Sequence, residues 1–275
     1  ATVKTGTGTA TTSAEWQYDN EGYPTNTPLN TMNYTCKDFQ NLAFRRGAGY
    51  QDVDYEMSKM VALLFYGIVG DRDSSLRCGY GKSSGGATGY YDTGTFGGDS
   101  DGLRETSNSG SGNKCLGLES WFGCTSEWMS NVAVNVISYK SALASRMVGK
   151  TGDPVDAVWH IYDPTTDTER TVQGTTETAS NIARVRHGRY CDVIPARLTG
   201  DTNYATHYAD GAWITMSSCR VVGRSGNNAS AYGGVACASA VSASSNSSTS
   251  YGSRLAFRPP QGKSIILIDD EEDNE

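Results

Sequence analysis

The side chains of this chain that are able to carry out chemistry are few and scattered. Histidine occurs at 160, 187 and 207, and cysteine at 36, 78, 115, 124, 191, 219 and 237. A hydrolytic triad needs one histidine beside an activated nucleophile, and no G-x-S-x-G or comparable turn presents one. The imidazoles therefore read as partners of tyrosines or of backbone groups, and the carboxylates form no recognisable acid/base pair. The cysteines show neither C-x-x-C nor paired Cys/His spacing, so they read as buried free thiols in preference to a metal site or a disulfide network. Asp52/Asp54 and Asp71/Asp73 carry the oxygen chemistry of ion ligands. Carboxylates at a helix start more commonly cap it and satisfy its dipole, which is the reading adopted for both pairs, with structural calcium left open. The expectation is a protein with no catalytic residues, no metal site and no cofactor.

Composition narrows the class further. The chain has 275 residues, 23 Lys+Arg and 30 Asp+Glu. Six of the last seven residues, Asp269 to Glu275, are acidic, which leaves a nearly neutral body and argues against a nucleic-acid partner. Leu, Ile, Val and Phe make up only about 16% of the residues, while 16 Tyr, 5 Trp and 32 Gly point to a loop-rich fold whose core leans on aromatics. With no apolar run of about 18 residues and no signal-peptide pattern at its start, the sequence predicts no membrane insertion.

Residues 1–34, rich in Thr, Gly, Asn and Pro, read as an extended lead-in or attachment arm. A capping box at Thr35 to Asp38 opens a short first helix that stops near Gly47. Val53, Met57, Met60, Val61, Leu64, Phe65 and Ile68 recur at helical spacing, predicting a second helix that buries this stripe. Residues 79–114 hold many glycines and read as a long surface loop, without the G-x-x-x-x-G-K-[ST] pattern of a phosphate loop. Thereafter the period changes to two. Val132, Val134 and Val136 predict a half-buried strand, residues 155–162 and 168–173 a hairpin around Asp163 to Asp167, and short strands follow near 182–185, 190–194 and 213–216. Helices first and short strands afterwards is the α+β order.

One stretch is unusual. From Ser225 to Ser253 there is no charged residue and no Leu, Ile, Met, Phe or Trp. Such low complexity commonly marks a linker, but here it is bracketed by strand-like segments at 220–223 and 252–258, which predict a surface held at both ends.

Three segments, Asp52-Val-Asp-Tyr-Glu56, Gly117-Leu-Glu-Ser-Trp-Phe-Gly-Cys-Thr-Ser-Glu-Trp128 and Gly252-Ser-Arg-Leu-Ala-Phe-Arg258, together resemble the formylglycine-generating-enzyme-like branch of the C-type lectin fold. Cys124, Thr125 and Ser126 stand where that branch usually has N-V-W. Residues 220–258 are similar to the variable region of diversity-generating-retroelement proteins, as in bacteriophage tropism determinants. There, mutation of adenines in AAY codons yields a menu without Glu, Lys, Gln, Trp or Met, and none of these five occurs between Ser225 and Ser253.

The resemblance implies an α+β, C-type lectin-like domain over 35–262 with two helices, short antiparallel strands and long irregular loops, followed by a strand and acidic tail at 263–275. Two helices, the Gly117 to Trp128 element and paired strands near Val221 and Leu255 would clamp the backbone of 225–250. By analogy with the usual template rhythm, Asn227, Asn228, Ala229, Tyr232, Cys237, Ser239, Val241, Ser242, Ser248 and Ser250 are expected as variable, outward-facing, ligand-binding positions, with Tyr232 and Tyr251 as aromatic contacts. The implied partner is a cell-surface protein or glycan, bound by a virion or bacterial-surface protein, with a homo-oligomer such as a trimer in view. Copper-using relatives carry two cysteines five positions apart, whereas here Cys219 is followed at 224 by Arg, which argues against that oxidase chemistry. The E-P-N, Q-P-D and W-N-D triplets of calcium-dependent sugar binding are absent from the sequence. A structural virion or surface protein with a merely solvated Ser/Ala segment is the alternative from another class.

Overall fold

A computed structural model describes residues 34–80, 113–123, 125–140, 157–177, 180–216, 218–226, 232–248 and 250–259. The expected arm, the glycine-rich loop from 81 to 112 and the acidic tail lie outside the described residues.

Among the described residues three helices precede every strand but one. Helix α1 (Cys36–Phe44) starts at Thr35, whose hydroxyl accepts the Asp38 N–H at 3.2 Å while the Asp38 carboxylate accepts the Thr35 N–H at 2.9 Å, the expected capping box. Helix α2 (Tyr55–Ile68) is capped by Asp54 and α3 (Ser74–Cys78) by Asp73, so one carboxylate of each acidic pair serves as an N-cap. The third helix, one turn and a half, has too short a pattern to register as a period.

The strands are β1 (Tyr50–Asp52), β2 (Lys114–Cys115), β3 (Leu118–Glu119), β4 (Ser126–Val134), β5 (Val158–Asp163), β6 (Thr168–Gln173), β7 (Asn181–Arg186), β8 (Ile194–Thr199), β9 (Ala212–Ile214), β10 (Arg220–Arg224), β11 (Ala238–Ser242), β12 (Tyr251–Gly252) and β13 (Leu255–Phe257). The main sheet runs β6-β5-β4-β10-β11-β9, with β12 also on β4, and β1-β13, β2-β3 and β7-β8 form separate pairs. The fold is mixed helix and sheet, with the helices before most of the strands.

Four expectations are corrected. The valine strand is half-buried only in prospect: β4 is buried on both faces because Met129, Val132 and Val134 enter one apolar cluster while Trp128 and Ala133 enter another. The strands are not all antiparallel, since β9 pairs with β11 and β12 with β4 in parallel. Residues 188–190 form a 3-10 turn with Cys191 left-handed, so the strand foreseen at 190–194 begins only at Ile194. The periodic stripe of α2 is its core face only in part: Val53 and Phe65 are buried and Met57 and Val61 pack against the core. Tyr55, Ser58, Lys59, Ala62 and Phe65 are buried, and Met60, Leu64 and Ile68 are exposed. Polar anchoring turns the helix: Lys59 Nζ donates to the Tyr190 carbonyl at 3.0 Å, and Tyr55 OH donates to Asp192 and accepts the Val193 N–H.

Candidate ligand-recognition surface

The three segments singled out in the sequence converge. Arg254 pairs with Glu127, donates to the Ser120 carbonyl and lies 5.3 Å from the centroid of Trp121. Burial pushes the Glu127 carboxyl above its usual range while Arg254 opposes the shift. Arg258 pairs with Asp54, the Val53 N–H donates to the Arg254 carbonyl at 2.9 Å, and β13 pairs with β1. Tyr251 stacks on the buried Trp128 with centroids 3.9 Å apart, and its hydroxyl meets Ser242 Oγ at 2.7 Å. Tyr251 is thus bound into the frame and is not the free aromatic contact expected of it. Val221 and Leu255 likewise do not share a strand pair: β10 lies between β4 and β11, and β13 lies on β1.

This frame and the elements beside it seize the backbone between β10 and β11. Ser75 Oγ donates to the Gly233 carbonyl, Ser74 Oγ accepts the Val235 N–H at 3.1 Å, and Asp210 Oδ2 accepts the Ala236 N–H at 2.6 Å. Arg224, almost wholly buried, donates to the carbonyls of Val193 and Val235, both at 3.2 Å. Burial in the first place raises the Asp210 carboxyl to about 7, against the hydrogen bond from Ala236. Gly234 packs so tightly on this group that a Cβ would overlap the Asp210 carboxylate and sit 2.5 Å from Ser74 Oγ. Ser225 (φ 79°) and Gly226 (φ 74°) take left-handed backbone where the chain leaves β10. The clamp therefore acts on main-chain groups and leaves side-chain identity free at the positions that point outward.

The expected positions divide by orientation. Tyr232 is 38% exposed and Val241 40% exposed, while Ser239, Ser248 and Ser250 are half-buried. Cys237 and Ser242 are corrected: at 1% and 3% exposed they face inward. Ser242 does so because side chains alternate along β11 and Ala238, Ala240 and Ser242 share the core side. Cys237 precedes the strand, in a turn where its N–H donates to the Gly234 carbonyl at 3.2 Å and its sulfur packs against Gly226. Burial lifts the Cys237 thiol to about 12. Ser248 and Ser250 serve a turn, with Ser248 Oγ accepting the Ser250 N–H and the Ser250 carbonyl accepting the Ser126 N–H. Asn227, Asn228 and Ala229 lie outside the described residues.

A residue outside the low-complexity segment joins this surface. Trp213 on β9 is 41% exposed, stands opposite Ser239 in the parallel β9-β11 pair and meets Tyr232 edge to face with centroids 6.3 Å apart. Gly211 permits the approach, since a Cβ there would lie 2.8 Å from the Trp213 ring. Only the long-range pairing of β9 with β11 brings Trp213 here, so no local signal marks it. Trp213, Tyr232, Ser239 and Val241 make an outward patch of aromatic, aliphatic and hydroxyl groups without formal charge.

The other candidate groups are engaged elsewhere. His160 Nδ1 contacts Glu169 at 2.8 Å, and His207 Nε2 contacts the Asp201 carbonyl at 2.6 Å. Asp71 accepts the N–H groups of Arg72 and Asp73 and pairs with Arg77 at 2.5 Å. Asp52 is buried, and burial pushes its carboxyl up to about 8 against weak hydrogen bonds from its own backbone and from Ser130. Among the described residues no three or more His, Cys, Asp or Glu side chains are grouped to hold a metal ion, and no helix is long and apolar enough to cross a membrane. No protein-family model and no curated protein matches the chain.

Proposed function

We propose that the chain is a ligand-recognition protein of C-type lectin-like architecture, similar to the variable proteins of diversity-generating retroelements, and that it has no enzymatic activity. Its ligand would be a cell-surface protein or glycan bound noncovalently by the surface around β9 and β11. Such proteins act on a virion or at the bacterial surface, and presentation as a trimer or larger array would multiply a modest single-site affinity by about 10² to 10⁴.

One observation carries this reading: side chains outside the Ser225 to Ser253 segment (Ser74, Ser75 and Asp210) hold the main chain of 233–236, while Tyr232 and Val241 extend into solvent. A scaffold that secures the backbone and frees the side chains accepts sequence change without refolding. Tyr232 and Trp213 offer rigid aromatic area, and the serines offer hydroxyls at little entropic cost.

The test replaces residues 225–250 with a second variant of the segment and measures which cells or purified surface molecules are bound. A changed binding range supports the reading. Unchanged binding overturns it in favour of a structural surface protein. The encoding DNA gives an independent check: a neighbouring reverse transcriptase and a near-copy of the segment for 220–258, differing only at adenines, are expected.

A further inference from the structure

Cys78 ends α3 and Cys115 ends β2, and the thirty-six residues between them in sequence separate the two helically and strand-anchored ends of one connection. Both side chains are at most 1% exposed and belong to the same apolar cluster. Within it the Cys78 thiol is hydrogen-bonded to the Cys115 thiol, and that contact is the foremost influence on Cys115. Cys36, Cys219 and Cys237 are each buried apart from that pair, and Cys191 is exposed on its turn.

We propose that Cys78 and Cys115 are a disulfide-forming pair that bolts α3 to β2. Two sulfurs already in hydrogen-bond contact need only a short approach, through side-chain rotation, to reach the S–S length of about 2.05 Å. The reaction is two-step exchange with a low-molecular-weight disulfide such as oxidised glutathione. The Cys115 thiolate attacks one sulfur of the reagent and expels one thiolate. The Cys78 thiolate then attacks the mixed disulfide and expels the second. The protein pair loses two electrons, the reagent gains them, and the two protons end on the released thiols.

The position gives the bond a consequence. Helix α3 carries Ser74 and Ser75, the two hydroxyls that hold Val235 and Gly233, so fixing its end to β2 immobilises one jaw of the backbone clamp. The hydrogen bond to Cys78, and then burial, hold the Cys115 thiol in its protonated form in the finished fold. Exchange therefore proceeds while the chain is folding or while α3 is locally open, and the oxidised and reduced proteins, once folded, persist as separate species.

The experiment refolds the full chain in a glutathione redox buffer and, in parallel, under reductant. Each sample is alkylated and mapped after digestion with trypsin and a glutamyl endopeptidase, which cuts at Glu119 and separates Cys115 from Cys124. The expected map of the oxidised wild type shows a peptide joining Cys78 to Cys115, with Cys191 alkylated. Reduction is expected to lower the melting temperature by about 5–10 °C, a shift absent from C78S and from C115S. Alkylated Cys78 and Cys115 in the oxidised sample, or a bond from either to Cys124 or Cys191, overturns the proposal. The wild-type map decides the matter even where a serine variant fails to fold. The result is independent of any ligand-binding measurement.

Discussion

Asp210 reaches across 26 positions of sequence to accept the backbone N–H of Ala236 at 2.6 Å, in a setting where its carboxyl is wholly buried. The same carboxyl receives Ser74 Oγ at 3.4 Å and leaves no room for a side chain at Gly234. A frame residue, a helix terminus and a glycine thus fix one short run of backbone together, and each member can be tested.

Asp210→Ala strands the buried Ala236 N–H without an acceptor and is expected to cost about 1–3 kcal/mol. Hydrogen exchange should accelerate at the Ala236 and Val235 amides before it does so in β4 or β10. Gly234→Ala is expected to destabilise by a similar amount, about 1–3 kcal/mol, through overlap with Asp210 and Ser74. Exchange rates at these amides that match the parent protein in both variants would remove the clamp from the account.

Stability should be greatest in mildly acidic solution. Asp52 and Asp210 have folded-state values of about 8 and about 7 against an ordinary 3.8, so between pH 4 and pH 7 the unfolded chain releases protons that the folded chain retains. Their contribution is complete below pH 4 and is lost as the pH rises, on the order of 1 kcal/mol per pH unit for each group until its folded value is reached. Asp71 and Glu169 are held below their usual values despite partial burial, Asp71 by hydrogen bonds from the Asp73 N–H and then Arg77 and Glu169 by one from His160 among others, and lose stabilisation as the pH falls through those values. Urea titrations from pH 4 to 8 should show falling stability, and Asp52→Asn should flatten the slope and gain most at pH 8.

Removing Arg254 isolates Glu127, whose side chain is 5% exposed. Arg254→Ala is expected to cost about 3 kcal/mol, because a buried carboxyl loses its countercharge. Arg254→Lys should recover only part of this, since a lysine does not span Glu127 and the Ser120 carbonyl while lying on Trp121. Chemical denaturation midpoints of the two variants compared with Glu127→Gln measure the difference.

What the sequence revealed depended on the range of the interaction. The Thr35/Asp38 box, the Asp54 cap and the 158–173 hairpin rest on groups a few residues apart, and they appear where spacing predicts them. The buried face of α2 follows its apolar period only through Val53, Met57, Val61 and Phe65, because Tyr55 and Lys59 take partners more than 130 positions away and Met60, Leu64 and Ile68 are left exposed. Arg224 is similar: its charge is buried because the carbonyls of Val193 and Val235 receive it. Of the expected recognition residues, the low-complexity segment identified the region, but only the β11 register distinguishes Val241 from Ser242, and only the turns before that strand distinguish Tyr232 from Cys237. Trp213 required the parallel pairing of β9.

That register makes the final prediction. Along β11 the side chains of Ser239 and Val241 lie on the less buried face and those of Ala238, Ala240 and Ser242 on the buried one. Substitution of Val241 by Asn, Asp or Ser should change stability by less than about 0.5 kcal/mol, as for an exposed position, and that of Tyr232 by about 0.5–1.5 kcal/mol through its ring contact with Trp213. Ser242→Asn must enlarge a side chain that is 3% exposed and held to the Tyr251 hydroxyl, and Cys237→Asn must bury an amide where a thiol packs. Each should cost about 1–3 kcal/mol. A library randomised at all four positions and selected only for folding should therefore retain broad choice at 232 and 241 and small residues at 237 and 242. Equal tolerance at the four positions would mean that the backbone here is not held as the hydrogen bonds to Asp210, Ser74 and Ser75 require.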